Sequence, residues 1–430
     1  MRRFRFAPTV VVGVVLAVVG CTDSSTGTSS PAARSYPAVL AGHAVLPALT
    51  MLQAPADAPG ELGTSGKAAQ PPPAGDVIPP FAGQPAQGHS AIRRTADGGF
   101  WILSDNGTGR KDNAADFMLH LSKYRVDFDS GDFQRLATVF LSDPQNAASF
   151  AIATAGTDRR YLTGSDFDPE SLQFTADAMW VGDEFGPYLL KFDQAGRLLA
   201  VHGILIDGRP ARSPDHPGGA ASAGVARSKG LEALAGSPDG TMLYPMLEGP
   251  LAGGADDARV VRILEFDVAA ERWTGRHWRY VLEDGSHSIG DIAMIDAASA
   301  LVIERDGGHG TSDKACPEGT RADNCFTRPA RFKRVYKIEM GEQTVGAAVR
   351  KVGYVDLLAI ADPRGLARVP LTNGVLTFPF ETIESVDVVD DRHIVVGNDN
   401  NLPYSRSREP TRVDDSELVL LDVANLLRAR

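Results

Sequence analysis

An all-β chain arranged as a propeller is the architecture this sequence predicts, on three observations. Short apolar strands recur in pairs along the chain, and each pair ends in acids or amides. Turn formers are abundant, with 44 Gly and 28 Pro. Helix signals are weak and confined to Ala269–Trp273 and Val423–Arg430. Strand–turn–strand units repeated in this way mean a propeller or a similar radial array. A length of 430 residues fits one large propeller as well as several smaller domains.

The first element is a leader. Arg2, Arg3 and Arg5 precede an apolar run from Val10 to Val19. A basic start followed by a short apolar run is the pattern of a secretory signal, too short to cross a bilayer comfortably. The run stops at Val18-Val19-Gly20-Cys21, which resembles a bacterial lipobox. On this reading residues 1–20 are removed and Cys21 carries a lipid. Residues 21–35 are then a Ser/Thr-rich tether, and the propeller occupies 36–430. An ordinary leader with a chance cysteine is the alternative. No later apolar stretch reaches spanning length, so the expectation is an exported protein held at the cell envelope, periplasmic or surface side, through the Cys21 lipid only.

Cys316 and Cys325 lie in a polar loop containing Pro317 and Gly319. In an exported protein such a pair reads as a local disulfide. A two-thiol zinc site is the weaker alternative, because no second cysteine pair or histidine cluster completes it. The net charge of −11 argues against non-specific nucleic-acid binding and leaves cations, or cationic patches on ligands, as partners.

After the tether, His43–Leu52 reads as a strand and Gly60–Gln87 as a loop rich in proline. Five segments then share one grammar: Gly88–Gly107, Asp168–Gly186, Gly230–Gly249, Ile289–Gly307 and Ile383–Asn400. Their uneven spacing is explained by loop insertions. The final strand, Glu417–Asp422, is expected to pair with the strand near His43–Leu52, closing the ring and removing its exposed edges. Five blades are readable. Six are expected, the N-terminal strand and the irregular stretch Lys351–Phe380 supplying the remainder.

The repeat also places the chemistry. In a hairpin the second strand runs back to where the first began. Glu170 therefore meets Asp183-Glu184, and by the same rule Glu232 meets Glu248, Asp291 meets Glu304, and Glu384 meets Asp399. If the blades share one orientation, these acids crowd one rim of the central channel. Like charges at close range raise each other's pKa, and a hard cation relieves them. Carboxylates and amide oxygens suit Ca²⁺, and the motifs offer no histidine or thiolate ligands for zinc.

Several of these blocks resemble one family. Arg160-Tyr-Leu-Thr-Gly164, Asp166-Phe-Asp-Pro-Glu-Ser171 and Trp180-Val-Gly-Asp-Glu-Phe-Gly-Pro187 are similar to the phytase-like family of exported bacterial proteins, described as having esterase-like activity. Ser228-Lys-Gly-Leu-Glu232, Ile303-Glu-Arg-Asp306 and Gly397-Asn-Asp-Asn400 fit its later blocks. Gln84-Pro-Ala-Gln-Gly-His-Ser90 and Ser104-Asp-Asn-Gly107 fit its opening. The resemblance implies a β-propeller related to calcium-dependent phytases, and hydrolysis of phosphoesters or carboxylesters.

No Gly-x-Ser-x-Gly elbow, His-Glu-x-x-His helix or phosphate-cradling glycine loop is present. The expected mechanism is hydrolysis assisted by one or more Ca²⁺ ions among Glu170, Asp183, Glu232, Glu304 and Asp399. Asp183 or Glu184 would orient or deprotonate water. Arg305 and Lys229 would neutralise phosphate oxygens, and Arg110 and Lys111 would extend the anion site. The partner is a small anionic or ester substrate. Plain ion pairing of these bases, and a purely structural calcium, use the same residues without catalysis. His89 is a candidate base or simply a packed loop histidine, and Asp166 and Asp168 are rim acids. A non-catalytic propeller binding an envelope ligand, and a lactonase-like propeller, remain open as alternatives.

Overall fold

A computed structural model describes residues 1, 33–70, 77–219, 224–253 and 256–430. The leader and Cys21 lie outside the described residues. The compact unit spans Ala33–Arg430. Among the described residues it forms five β-sheets of propeller type.

Each blade is a meander of antiparallel strands, joined by turns that the sequence punctuates with Gly and Asp. The first holds His89–Arg94, Phe100–Ser104, His120–Asp127 and Asp132–Phe140. The second holds Pro169–Phe174, Met179–Asp183, Tyr188–Phe192 and Leu198–Gly203. The third holds Leu231–Gly236, Met242–Leu247, Val260–Asp267 and Arg272–Val281. The fourth holds Ser288–Met294, Ser299–Arg305, Lys333–Glu339 and Arg350–Asp356. The fifth holds Ile383–Val388, His393–Asn398 and Ser416–Asp422, completed on its outside by Val39–Leu46.

That last pairing runs antiparallel, with Val39 opposite Asp422 and Leu46 opposite Ser416, so the ring closes as the sequence predicts. The expected sixth blade is absent among the described residues. Its two proposed sources serve other blades. Lys351–Asp356 belongs to the outer strand of the fourth blade, and Arg34–Tyr36 adds to that strand in parallel. The rest of the stretch is a connection pinned by a bridge between Ile360 and Leu376.

The segment 269–273 is not a helix. Asp267 pairs with Arg272, Asp267 accepts from the Ala270 N–H at 2.9 Å, and Glu271 takes a positive φ, so the segment is a hairpin turn. The C-terminal signal is real but short, Ala424–Leu427. Lys337 Nζ donates to the Leu427 and Ala429 carbonyls, tying this helix to the fourth blade.

The innermost strands pack side by side around one axis. The apolar core lies between blades rather than at their centre. Buried Trp180 of the second blade meets Phe266 of the third edge to face, with centroids 5.3 Å apart. Phe378, Phe380 and Leu357 fill the junction of the fourth and fifth blades. Burial of this surface, at about 25 cal/mol per Å², is the main driving force for closing the ring. Cys316 and Cys325 form a disulfide with Cα atoms 4.9 Å apart, in the long loop between the second and third strands of the fourth blade.

Candidate metal centre and substrate cleft

One backbone device, used five times, builds the channel. Every innermost strand carries a register shift near its start, so that an extra residue stands unpaired there. The bulged residues are Ser90, Glu170, Glu232 and Glu384, with Gly290 and Asp291 sharing the bulge of the fourth blade. A bulge re-aims a side chain and ends regular pairing. A second tier follows the second strands: Asp105, Glu184, Glu248, Arg305 and Asp399 occupy equivalent positions.

The two tiers converge. Ligand oxygens of Glu170, Glu232 and Glu384 lie within 4.8 Å of one another, as do those of Glu184, Glu232 and Glu248. A third group within the same limit joins Glu170 and Glu184 to Asp168, which accepts from the Asn106 side chain at 2.8 Å. Glycine permits one close approach on the rim. Gly88 has a φ of +70°, and a Cβ there would fall 2.1 Å from Asp105 Oδ1.

The fourth blade departs from the pattern. Its bulge carries Gly290, where a Cβ would lie 1.9 Å from the Ile383 carbonyl oxygen. Its second tier carries a base: Arg305 donates to Glu384 at 2.8 Å and Glu248 at 3.2 Å, and lies 3.8 Å from Glu232. Lys229 Nζ adds a contact to Glu248 and another to Ser288 Oγ at 2.9 Å. Acids nevertheless outnumber bases. Burial, reinforced by neighbouring carboxylates, pushes Asp105, Glu170, Glu184, Glu232 and Asp399 well above the usual carboxylate range. Burial also lifts Asp168 to about 6 and Glu384 to about 8, the latter against the pull of Arg305. Glu232 is only 3% exposed, and its Oε1 has no hydrogen-bond partner.

The channel is closed at depth. Arg93 of the first blade is buried on the axis and bonds both carboxylate oxygens of Asp291, at 3.0 and 3.2 Å. It also donates to the Val386 carbonyl of the fifth blade and the Leu234 carbonyl of the third. The acids thus face one open mouth, a cavity of about 670 Å³. Arg110, Lys111, Arg227, Ser228 and Phe185 line its rim above Asp168, Glu170 and Glu384. Lys111 Nζ sits 4.6 Å from the Phe185 ring centroid.

Glu170, Glu184, Glu232 and Asp399 stand where the sequence places them, and Arg110 and Lys111 line the mouth. Glu304 is corrected. It is fully buried and accepts from Tyr280 at 2.8 Å, the Glu283 N–H at 2.7 Å, His287 at 2.8 Å and Lys351 at 2.8 Å. Burial would raise it, but the His287 hydrogen bond and the Lys351 charge hold it below the usual range. Its partners come from the third and fourth blades, so it fastens one to the other. Its neighbour Arg305 faces the channel instead, and Asp291 likewise serves the Arg93 plug. Asp183 is buried and pushed up to about 7 by burial, but both oxygens are engaged, by the Asp168 N–H at 2.8 Å and the Gly186 N–H at 2.7 Å. It shapes the turn that carries Asp168 and Glu184. Arg305 and Lys229 are held on carboxylates rather than free for a ligand. His89 is buried, driven down to about 3 by burial, and packs near Tyr124.

The metal set read from the sequence did not include Asp168, Glu248 and Glu384, which the structure brings into the three carboxylate groups, although Glu248 and Glu384 were placed on the rim by strand pairing and Asp168 was read as a rim acid. Aligning the repeats on the residue that follows each second strand would have found the second tier. The family model described as "Phytase-like: Esterase-like activity of phytase" matches residues 84–402. The chain belongs to the phytase-like family. A search of curated proteins found no match. Among solved structures, this phytase-like chain is similar to a GH43 β-1,3-galactosidase bound to galactodeoxynojirimycin, at 9% identity over 84% of this chain and 94% of that one, with a TM-score of 0.40. A luciferin-regenerating enzyme aligns at 9% identity over 79% and 78%, with a TM-score of 0.37. A putative 6-phosphogluconolactonase from Bacteroides uniformis aligns at 13% identity over 75% and 79%, with a TM-score of 0.34.

Proposed function

We propose that the channel is the active site of a calcium-dependent hydrolase acting on phosphoester or carboxylester bonds. The observation that carries this reading is the convergence of six carboxylates from three blades, among them buried Glu232, whose Oε1 has no hydrogen-bond partner among the described residues. Such a site is costly when empty of cations, because like charges in a desolvated place cannot all ionise. The donors are oxygens only, which fits a hard cation and not zinc. Asp168, Glu170 and Glu184 would hold the ion, since Arg305 already engages Glu232, Glu248 and Glu384. When bound, the ion supplies positive charge that draws an ester or phosphate oxygen to the floor and acidifies water there.

This chain's own residues do the remainder. Glu184, within 4.8 Å of Asp168 and Glu170, takes the proton from attacking water. Asp183 positions Glu184 through the turn it pins. Arg110 and Lys111 hold an anionic group at the mouth, where positioning contributes more than acidification by a weak Lewis acid. The same proposal places the protein outside the cytoplasm on a Cys21 lipid. The Cys316–Cys325 disulfide supports an oxidising compartment.

The test uses protein lacking residues 1–32, stripped of metal and assayed with and without millimolar Ca²⁺. Substrates are p-nitrophenyl phosphate, bis-p-nitrophenyl phosphate, phytate, p-nitrophenyl butyrate and a simple lactone. Turnover restored by Ca²⁺ and abolished in Glu184→Gln is expected. A calcium-dependent rise in Tm without turnover on any of these esters would sink the catalytic reading and leave a calcium-stabilised binding propeller.

A further inference from the structure

Beside the channel mouth, between the loops of the fourth and fifth blades, lies a second cavity of about 340 Å³. His309, Phe326, Thr327, Glu381, Ser405 and Arg406 are among its lining residues. Among the described residues Arg406 makes no ion pair. Its Nη1 donates to the Tyr404 carbonyl at 3.3 Å, while Nε and Nη2 are buried and have no hydrogen-bond partner. Among the described residues it is the guanidinium left with two such nitrogens. Nε and Nη2 lie along one edge of the planar group. That edge is the fork that grips a carboxylate or phosphate with two parallel bonds.

A buried cationic N–H without an acceptor is unfavourable, so the fork requires a partner that the fold does not provide. The nearby carboxylates do not fill the role. Glu381 lies 3.5 Å from His309 Nδ1, and Asp323, also on the lining, is exposed to solvent. Arg406 is half-buried and lines the cavity, so a modest turn of its side chain presents the free edge to an incoming group.

We propose that this shelf is an oxyanion-binding subsite, in which Arg406 holds a phosphate or carboxylate group through its Nε–Nη2 edge. The shelf adjoins the channel: Glu381 and Tyr404 line one cavity, while Thr382 and Asn401 line the other. A molecule whose ester reaches the acidic floor therefore extends a second, non-reacting anionic group onto Arg406. Where the proposed hydrolase function holds, the subsite selects esters that carry such a group, and remote binding energy is used to align the reacting bond.

The decisive measurement is calorimetric titration of the full chain with inorganic phosphate and, separately, succinate, in the presence of chelator. Without a cation the acidic channel repels anions, so binding reports the shelf and not the hydrolase site. Saturable millimolar binding is expected for at least one probe, and the one that binds more tightly identifies the oxyanion. The affinity falls at least tenfold in Arg406→Gln and partly in Arg406→Lys, which keeps the charge but loses the fork. Binding that is lost in an Arg110→Gln/Lys111→Gln double variant and kept in Arg406→Gln would place the anion at the channel mouth and overturn the proposal. A second readout is the Arg406 Nε–H resonance, assigned by its loss in Arg406→Lys, which shifts as the probe is added. The proposal is overturned by the absence of saturable binding of either probe, by equal affinity in wild type and Arg406→Gln, or by an Nε–H resonance that does not move.

Discussion

Glu232→Gln is the substitution on which the metal-centre argument turns, because its two consequences have opposite signs. Glu232 shares the 4.8 Å limit with four carboxylates: Glu170 and Glu384 in one group, Glu184 and Glu248 in another. At an effective dielectric of 20, each such pair repels by about 3 kcal/mol if both members are ionised. Arg305, at 3.8 Å, returns about 4 kcal/mol of attraction. Repulsion wins, and protonation or a cation must relieve it. The amide removes the charge and keeps the shape. In chelator the variant is therefore expected to be more stable by about 2 kcal/mol, the share of repulsion that protonation leaves unrelieved. A folded unit of this size unfolds with an entropy of roughly 0.8 kcal/mol per kelvin, so Tm rises by about 2–3 °C. With Ca²⁺ at a hundred times Kd, the wild type gains about 2.7 kcal/mol, or about 3 °C. The variant is expected to lose part of that gain, because the Glu232 charge stands beside Glu170 and Glu184, two of the residues that would hold the ion. Scanning calorimetry in chelator and in Ca²⁺ measures both effects. A Tm that falls in chelator, with an unchanged calcium shift, would show that Glu232 is a structural partner of Arg305 and would refute the reasoning.

Metal-free stability should fall as pH rises. Asp168, Asp183 and Glu384 are held up at about 6, 7 and 8, so the folded state binds more protons than the unfolded chain between about pH 4 and 8, and stability is lost through that window. Tm in chelator should drop by several degrees from pH 5.5 to 8.5, and saturating Ca²⁺ should cancel most of the drop; a flat profile in chelator counts against it. Glu304→Gln should cost about 3–5 kcal/mol, because it breaks the buried pair with Lys351 and leaves that ammonium only the exposed Glu283 at 3.0 Å, yet leave calcium affinity within twofold by titration calorimetry. Asp291→Asn should cost a similar 3–5 kcal/mol, about 4–6 °C in Tm, by unpairing Arg93 on the axis; wild-type Tm would show that the plug contributes little.

The parts of this molecule written locally were legible. Paired apolar strands, the acids that close them and the strand that completes the ring all follow from alternation and turn residues. The blade count was not legible, because it depends on where the N-terminal strands dock. Arg34–Tyr36 and Val39–Leu46 are nearly continuous in sequence, yet they join the outer edges of two different blades. The site was legible in outline and wrong by one residue in the fourth blade. Side chains alternate across a strand, so a single-residue slip moves a side chain to the other face. Asp291 and Glu304 look like the counterparts of Glu232 and Glu248, but the bulge puts Gly290 and Arg305 in those places. Glu304 then turns into the interface between blades, where Tyr280, His287 and Lys351 surround it.

That one-residue offset is what turns a ring into a site. A symmetrical ring of acids would bind cations without preference among its positions. Arg305 breaks the symmetry by engaging Glu232, Glu248 and Glu384, and leaves Asp168, Glu170 and Glu184 as the converging group that makes no ion pair among the described residues. All three of these belong to the second blade or its approach. Phe185, in the turn that follows Glu184, carries Lys111 against its ring, and both line the mouth. Burial pulls the Lys111 ammonium down, while Asp183, Asp215, Asp166 and Asp168 support its charge. Under the proposed function, cation and anion recognition therefore fall on the same side of the channel, so an ester entering there meets its metal and its counter-charge together. Replacing Arg305 by Met should erase that preference by freeing Glu232, Glu248 and Glu384 for a second ion. Calcium stoichiometry, read by calorimetric titration, should then rise above the wild-type value. An unchanged stoichiometry would mean that Arg305 does not set the position of the ion.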